Sequence, residues 1–264
     1  MMDKIKVFIV NAFANKKTFK GNPAAVCPLE SWLSDDLMQS IAFENNLSET
    51  AFFVKKDNVF FIRWFTPKKE IELCGHATLA AAHVLFNELG FRDKEIEFNT
   101  FFDEKLIVKN KPNFMSMDFP AIELTESNED LNTVTDVLGL RPSRYLSGNY
   151  GFAIFNSEDE IIKVSPKLNL FNKLSHNGVI VTAPGKSVDF VSRFFAPNLG
   201  INEDPVTGSA HCALIPYWSK RLKKLDMVAH QLSERKGEIF CSFYNGRVGI
   251  SGNSITYLKG ELSI

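Results

Sequence analysis

The segment from Arg63 to Phe86, RWFTPKKEIELCGHATLAAAHVLF, returns in altered form as SRFFAPNLGINEDPVTGSAHCALIPYW from Ser192 to Trp218. Arg63, Phe65 and Pro67 match Arg193, Phe195 and Pro197 at an offset of 130. After a short insertion, Glu70, Gly75, Ala77 and Ala80 match Glu203, Gly208, Ala210 and Ala213 at an offset of 133. Matches in a fixed order across a single gap point to a duplicated unit, so the chain reads as two related halves. A period close to half the chain length implies paired lobes, not the stacked short repeats of a solenoid.

Each copy has the same local grammar. Phe60 to Phe65 and Phe190 to Phe195 are aromatic and β-branched runs that suit strands, and Pro67 and Pro197 end them because proline cannot donate to a ladder. After a loop, Gly75 and Gly208 lead into His76 to Leu89 and Ser209 to Leu222, which carry apolar residues nearly all round. A helix without a polar face is buried. Gly90 suits the position after the end of the first helix, and Pro216 inside the second predicts a kink. A central helix wrapped by strands is therefore expected in each half. A helix that begins at a glycine-led loop offers free backbone N–H groups to an anion. If the halves face one another, two such ends meet across a cleft suited to a carboxylate.

Composition narrows the class of partner. Hydrophobic residues at 45%, charged residues at 23% and a net charge of −1 over 264 residues are those of an ordinary soluble globular protein. No cluster of Lys and Arg predicts a nucleic-acid surface. Met1 to Val10 lacks a signal-peptide pattern, and no apolar run approaches the roughly 18 residues of a membrane span. A cytoplasmic protein with no membrane partner is expected. Cys27, Cys74, Cys212 and Cys241 are scattered without metal-ligand spacing and read as reduced thiols. The 24 phenylalanines imply an aromatic core.

Along the first half, strands are expected at Lys4 to Val10, Ala24 to Cys27, Ala51 to Val54, Val59 to Phe65, Glu95 to Asn99, Lys105 to Val108 and Phe114 to Phe119. Ser34 is a good N-cap for a helix to about Asn45, with Asp35 and Asp36 complementing its dipole. Gly21-Asn22-Pro23, Asp57-Asn58 and Lys111-Pro112-Asn113 are turns, and another lies at Thr100 to Glu104. The acidic, polar stretch Pro120 to Asp130 is the expected linker. In the second half, helices are expected at Thr133 to Leu138, ending at Gly139, and near Pro166 to Leu174. Strands are expected at Phe152 to Phe155, Val179 to Thr182 and Val188 to Phe195. The tail reads as strands Glu238 to Tyr244, Val248 to Ser251 and Ser254 to Leu258, with Asn245-Gly246 as a hairpin turn.

GNPAAV at 21 to 26, NLSETAFFV at 46 to 54, RWFTPKKEIELCGHATLAAAH at 63 to 83 and SRFFAPNLGINEDPVTGSAHC at 192 to 212 resemble the PhzF-like (phenazine-biosynthesis-like) isomerases of the diaminopimelate epimerase superfamily. The resemblance spans residues 11 to 218 and departs at Thr100 to Glu104, where a glycine is usual. It implies an α+β, diaminopimelate epimerase-like fold of two pseudo-twofold-related lobes, each a β-strand cage around a central helix. Lobe one would cover 1–119 with the strand 254–264 returning to it, and lobe two 120–253. A homodimer is implied as well.

Carried over by motif, the family's acid/base glutamate falls on Glu49, its histidine on His76, its aspartate on Asp204 and its serine on Ser209, with substrate-binding roles for Gly75, Gly208 and Asn22. On its own, Glu49 reads as a solvated charge at the start of a strand, His76 as a helix-start residue and Asp204 as a turn residue before proline. His76 and Ser209 are equivalent in the duplication. Glu49 is not duplicated, since the offset of 130 sets Val179 opposite it. The racemases of the superfamily use two thiols. Cys74 occupies the first place, but Pro205 stands in the second, so Cys74 reads as a small buried residue. His83 and His211 read as core histidines, and the repeated Arg63 and Arg193 as structural partners of Glu70 and Glu203.

The function expected is a cofactor-independent, metal-free proton transfer on a small carboxylate or amino-acid-like substrate, such as the dihydro-hydroxyanthranilate of phenazine synthesis. The alternative from another class is a non-catalytic binder of small acids, for which Glu49 has no use.

Overall fold

The structure, a computed structural model, describes residues 4–14, 19–57, 59–102 and 104–264. Asn58 of the expected Asp57-Asn58 turn and Asp103 of the 100–104 turn lie outside the described residues, as do residues 1–3 of the leading segment. The chain divides into two compact units, Met1–Asp118 with Ser251–Ile264, and Phe119–Ile250.

In the first unit β1 (Lys4–Ala12) pairs antiparallel with β2 (Asn22–Leu29). The chain crosses over through α1 (Asp35–Asn45) to β3 (Glu49–Lys56), which lies parallel to β2. Ser34 caps α1 by accepting from Leu37 N, and Asn46 ends it in the left-handed region. β4 (Val59–Phe65) returns antiparallel to β3, and the short β5 (Glu70–Ile71) pairs with its end. Next comes α2 (Gly75–His83), buried from His76 to Ala82 and packed against β1, β2 and β3. The expected α-helix to Leu89 ends early, because Val84–Glu88 winds as a π-helix. Leu89 N bonds to Val84 O, and Gly90 follows at φ 71, the left-handed turn anticipated for it. β6 (Glu95–Thr100) runs parallel to β4, followed by the antiparallel pairs with β7 (Lys105–Asn110) and β8 (Met115–Pro120).

The second unit begins where a linker was expected, and this expectation is corrected. Ile122 N donates to Cys212 O at 2.9 Å, Ala121 N donates to Gly246 O at 3.1 Å, and β9 (Thr125–Glu126) pairs with β10 (Arg144–Ser147). Cys212 stands four residues before Pro216 in α5 (Gly208–Leu222). Proline has no N–H to give that carbonyl, and Ile122 supplies one. The polar stretch is therefore held by an acceptor that the helix itself leaves open.

α3 (Leu131–Leu138) is capped by Asp130 and ended by Gly139 at φ 73. β11 (Gly151–Ile154) pairs antiparallel with β10, then parallel with β12 (Val179–Pro184). Between them lie α4 (Glu158–Lys163) and a 3-10 turn at Leu168–Lys173, where a helix over Pro166 to Leu174 was expected. α4, which the sequence reading does not include, starts at a capping box of Ser157 and Glu160, the S-x-x-E signature of a helix start. β13 (Phe190–Phe195) is antiparallel to β12 and parallel to β14 (Asp226–Gln231), which in turn pairs antiparallel with β15 (Gly237–Tyr244). Asn245 and Gly246 take left-handed φ values of 51 and 73 before β16 (Arg247–Gly252), the backbone of a type I′ turn. β17 (Ser254–Ser263) lies antiparallel on β1.

Taken separately, the two units have the same succession of pairings: antiparallel, parallel across a helical connection, antiparallel, parallel, antiparallel. The duplication read from motifs thus extends to topology. In both, the repeated arginine forms a fork on the repeated glutamate. Arg63 Nε and Nη2 donate to Glu70 at 2.7 and 2.6 Å, and Arg193 Nε and Nη2 donate to Glu203 at 2.7 and 3.0 Å.

Candidate active site

Parallel pairing of β2 with β3 sets Ala24 beside Glu49, which brings the starts of both strands to one end of the sheet. Gly21 makes this possible. It has φ 94, and a Cβ there would lie 2.3 Å from Ala12 O, so no other residue fits. Asn22, the next residue, is fully buried. α2 begins at the same end, so that Asn22, Glu49, Cys74 and His76, all under 8% exposed, form one cluster.

His76 is its hub. Nε2 lies 3.1 Å from Glu49 Oε2, while Nδ1 lies 3.3 Å from Asn22 Nδ2 and 3.5 Å from Cys74 Sγ. Ser48 Oγ donates to Asn22 Oδ1 at 3.3 Å. The contact between His76 and Glu49 is close but poorly aligned, and neither Nε2 nor Oε2 has a hydrogen-bond partner. A buried carboxylate oxygen and a buried ring nitrogen left in this state cost stability. Such groups cluster where chemistry is done.

Burial opposes a charge on His76, but its contacts with Cys74 and Glu49 outweigh it and hold its pKa well above the ordinary imidazole value. Burial, with Glu49 adding to it, pushes the Cys74 thiol up, so Cys74 is a thiol at neutral pH. A charged imidazole donates from both nitrogens. In that form the Asn22 amide must turn its oxygen to Nδ1, and the Ser48 hydroxyl, able to donate or accept, can follow.

Glu49, Cys74 and His76 offer oxygen, sulfur and nitrogen within 4.8 Å of one another, the donor types of a zinc site. Cys74 lies on the Nδ1 side of the His76 ring and Glu49 on the Nε2 side. Cys74, read from sequence as a buried small residue, is buried and also a partner of His76.

In the second unit, Thr207 is the N-cap of α5 and makes no side-chain cap bond, just as Cys74 makes none for α2. The two helices thus start at Gly75 and Gly208 with uncapped ends. Asp204 is 8% exposed and accepts from Thr207 Oγ1 at 2.5 Å. Ser209 is exposed, 3.3 Å from Tyr150 OH. The register corrects the duplication at the glutamate. Phe65 faces Thr50, and its equivalent Phe195 faces Val179, so the counterpart of Glu49 is Gly178 and not Val179. A Cβ at Gly178 would come within 2.8 Å of the Phe194 ring. His211 Nδ1 donates to Thr207 O at 2.8 Å and burial lowers its pKa to about 4, as suits a core histidine. His83 is likewise lowered to about 4 by burial. All four cysteines are free and buried. A cavity of about 880 Å³ in this unit, with Ile122, Leu146, Tyr217 and Phe243 in its wall, includes none of the expected site residues.

Residues 10–260 match the family described as phenazine biosynthesis-like protein. The chain belongs to this family. It is 43% identical over 261 residues to a Pseudomonas aeruginosa protein named as an uncharacterized isomerase, covering 99% of this chain and 100% of that one. A crystal structure of a PhzF-family phenazine biosynthesis protein from Enterococcus faecalis superposes with a TM-score of 0.95 at 45% identity, covering 99% of this chain and 100% of that chain. A probable proline racemase from Agrobacterium radiobacter K84 shares the fold alone, at a TM-score of 0.64 and 9% identity over 98% of this chain and 92% of that one. The phenazine biosynthesis-like chain is an isomerase with a diaminopimelate epimerase-like fold. Among its described residues, no helix is long and apolar enough to cross a membrane.

Proposed function

We propose that this isomerase moves a proton on a small carboxylate or amino-acid-like substrate without a cofactor, using Glu49 as acid and base on one face. The observation that carries the reading is an asymmetry within a duplicated fold. Glu49 is buried, its Oε2 lacks a hydrogen bond and stands 3.1 Å from His76, while its counterpart is a glycine. Chemistry on two faces asks for two bases, whereas one carboxylate can take a proton and return it. In this reading His76 orients the substrate and steadies the carboxylate, and Asn22 and the backbone N–H groups at Gly75 and Gly208 bind the acid. Asp204 and Ser209 hydrogen bond to substrate. A dihydro-hydroxyanthranilate is one compound of the right class.

The reading is tested by incubating the protein with a panel of small cyclic and amino carboxylates in deuterated water and following products by mass. Partial retention of substrate hydrogen is expected, because one shielded carboxylate carries it across. Complete solvent exchange would replace the single-base shuttle with a second, solvent-linked base. Binding without any exchange or product would favour a non-catalytic binder. We also infer a homodimer, since strand-rich units often cover exposed edges in a twofold interface. Light scattering at micromolar concentration is expected to give twice the chain mass, and a monomer would overturn that inference.

A further inference from the structure

Gln231, the last residue of β14, is fully buried and was not singled out by any motif. Its Oε1 accepts from Thr207 N at 2.9 Å. Its Nε2 donates to Asp204 O at 2.8 Å and to Thr207 Oγ1 at 3.0 Å. A backbone N–H can only donate and a backbone carbonyl can only accept, so these two bonds fix which way the amide points. The consequence passes to the hydroxyl. Thr207 Oγ1 already receives a hydrogen from Gln231, so its own hydrogen goes to Asp204 Oδ2, at 2.5 Å. That length suits a hydroxyl donating to a carboxylate. Ser233 Oγ, two residues beyond Gln231, donates to Pro205 O at 2.8 Å and holds the same loop from the other side.

We propose that Gln231 is a positioning residue for the reaction: acting through Thr207, it commits Asp204 Oδ2 as a hydrogen-bond acceptor and holds the loop Asp204 to Thr207 at the start of α5. The role of Asp204 rests on the function proposed above, but the direction of the hydrogen-bond chain does not. Pairing of Ser192 with Gln231 in the parallel β13–β14 ladder anchors the amide from the sheet, so the loop is held from the sheet as well as by its own turn.

Three variants of the full chain test this. Thr207→Val removes the hydroxyl, Thr207→Ser keeps it, and Gln231→Glu keeps the shape but turns the donor into an acceptor, which draws the Thr207 hydrogen away from Asp204. The first readout is proton NMR of the substrate-free protein. Wild type and Thr207→Ser are expected to show a slowly exchanging hydroxyl resonance coupled to a deuterium isotope shift on the carbon-13-labelled Asp204 carboxyl, and Thr207→Val and Gln231→Glu are expected to lose that shift. The second readout is kinetic, with whichever small carboxylate the wild type turns over in deuterated water. A hydrogen bond to a charged group is worth 1.5 kcal/mol or more, about tenfold in rate, so kcat is expected to fall about tenfold in Thr207→Val and Gln231→Glu, with KM within about threefold. If Gln231→Glu does not fold, the contrast between Thr207→Val and Thr207→Ser decides. An isotope shift that persists in Thr207→Val, or equal kcat in Thr207→Val and Thr207→Ser, overturns the proposal. Failure of Glu49 as the base would leave the NMR result standing, so the two readings fail separately.

Discussion

Glu49→Gln is expected to cut kcat by about 10²- to 10⁴-fold, the usual worth of a positioned general base, while substrate affinity stays within a few-fold. The amide keeps the volume and one acceptor oxygen, so the packing around His76 should not change. It cannot take a proton. His76 distinguishes this loss from a general disruption. In wild type the carboxylate faces Nε2 at 3.1 Å and helps hold the His76 pKa above the ordinary imidazole value. With a neutral amide in its place, burial is less strongly opposed, and the imidazole should titrate lower in an NMR titration of the substrate-free protein. A variant that turns over at the wild-type rate sinks the single-base mechanism. One that loses turnover with no change at His76 removes the link between the two residues.

The second large effect is on stability. Arg63→Ala and Arg193→Ala are each expected to lower unfolding free energy by about 3 kcal/mol, measured by urea unfolding. Breaking a buried pair costs about 3–5 kcal/mol because it strands the partner. Here the glutamates are 24% exposed, which places the loss at the low end. Arg193 also donates from Nη1 to Ile161 O and Val164 O, satisfying carbonyls at the end of α4, and its guanidinium lies 4.7 Å from the Phe195 ring. Arg63 lies 5.1 Å from Phe65 and donates to Asp35 in the first turn of α1. Lysine in either place keeps the charge but cannot fork, so it should recover less than half of the loss. Lysine variants as stable as wild type would show that charge alone suffices and that the duplicated geometry is incidental.

That device was legible in the sequence because both partners recur at matched offsets and lie on one strand–loop–helix segment. The helix starts at Gly75 and Gly208, the cap at Ser34 and the turns at Gly139 and Asn245-Gly246 were legible for a related reason: each depends on backbone conformations that few residue types accept. The capping box at Ser157 and Glu160 is an equally local signal for the start of α4.

What the sequence determined by itself is what local chemistry and internal repetition determine: two like halves, two buried helices led by glycines, an arginine–glutamate pair in each half, and the motifs that place the chain in its family. Tertiary structure alone decided which side chains meet. The parallel register of β2 and β3 brings Asn22 and Glu49 to one end of the sheet, and the antiparallel register of β12 and β13 assigns Gly178 as the counterpart of Glu49. Packing sets Cys74 and Asn22 on one nitrogen of His76 and Glu49 near the other, and carries Gln231 from a distant strand to the loop before α5. These contacts join residues on separate elements, and a shift of one position in a strand would point each side chain to the opposite face. No local pattern records such a register, because it is set by the burial of whole strands.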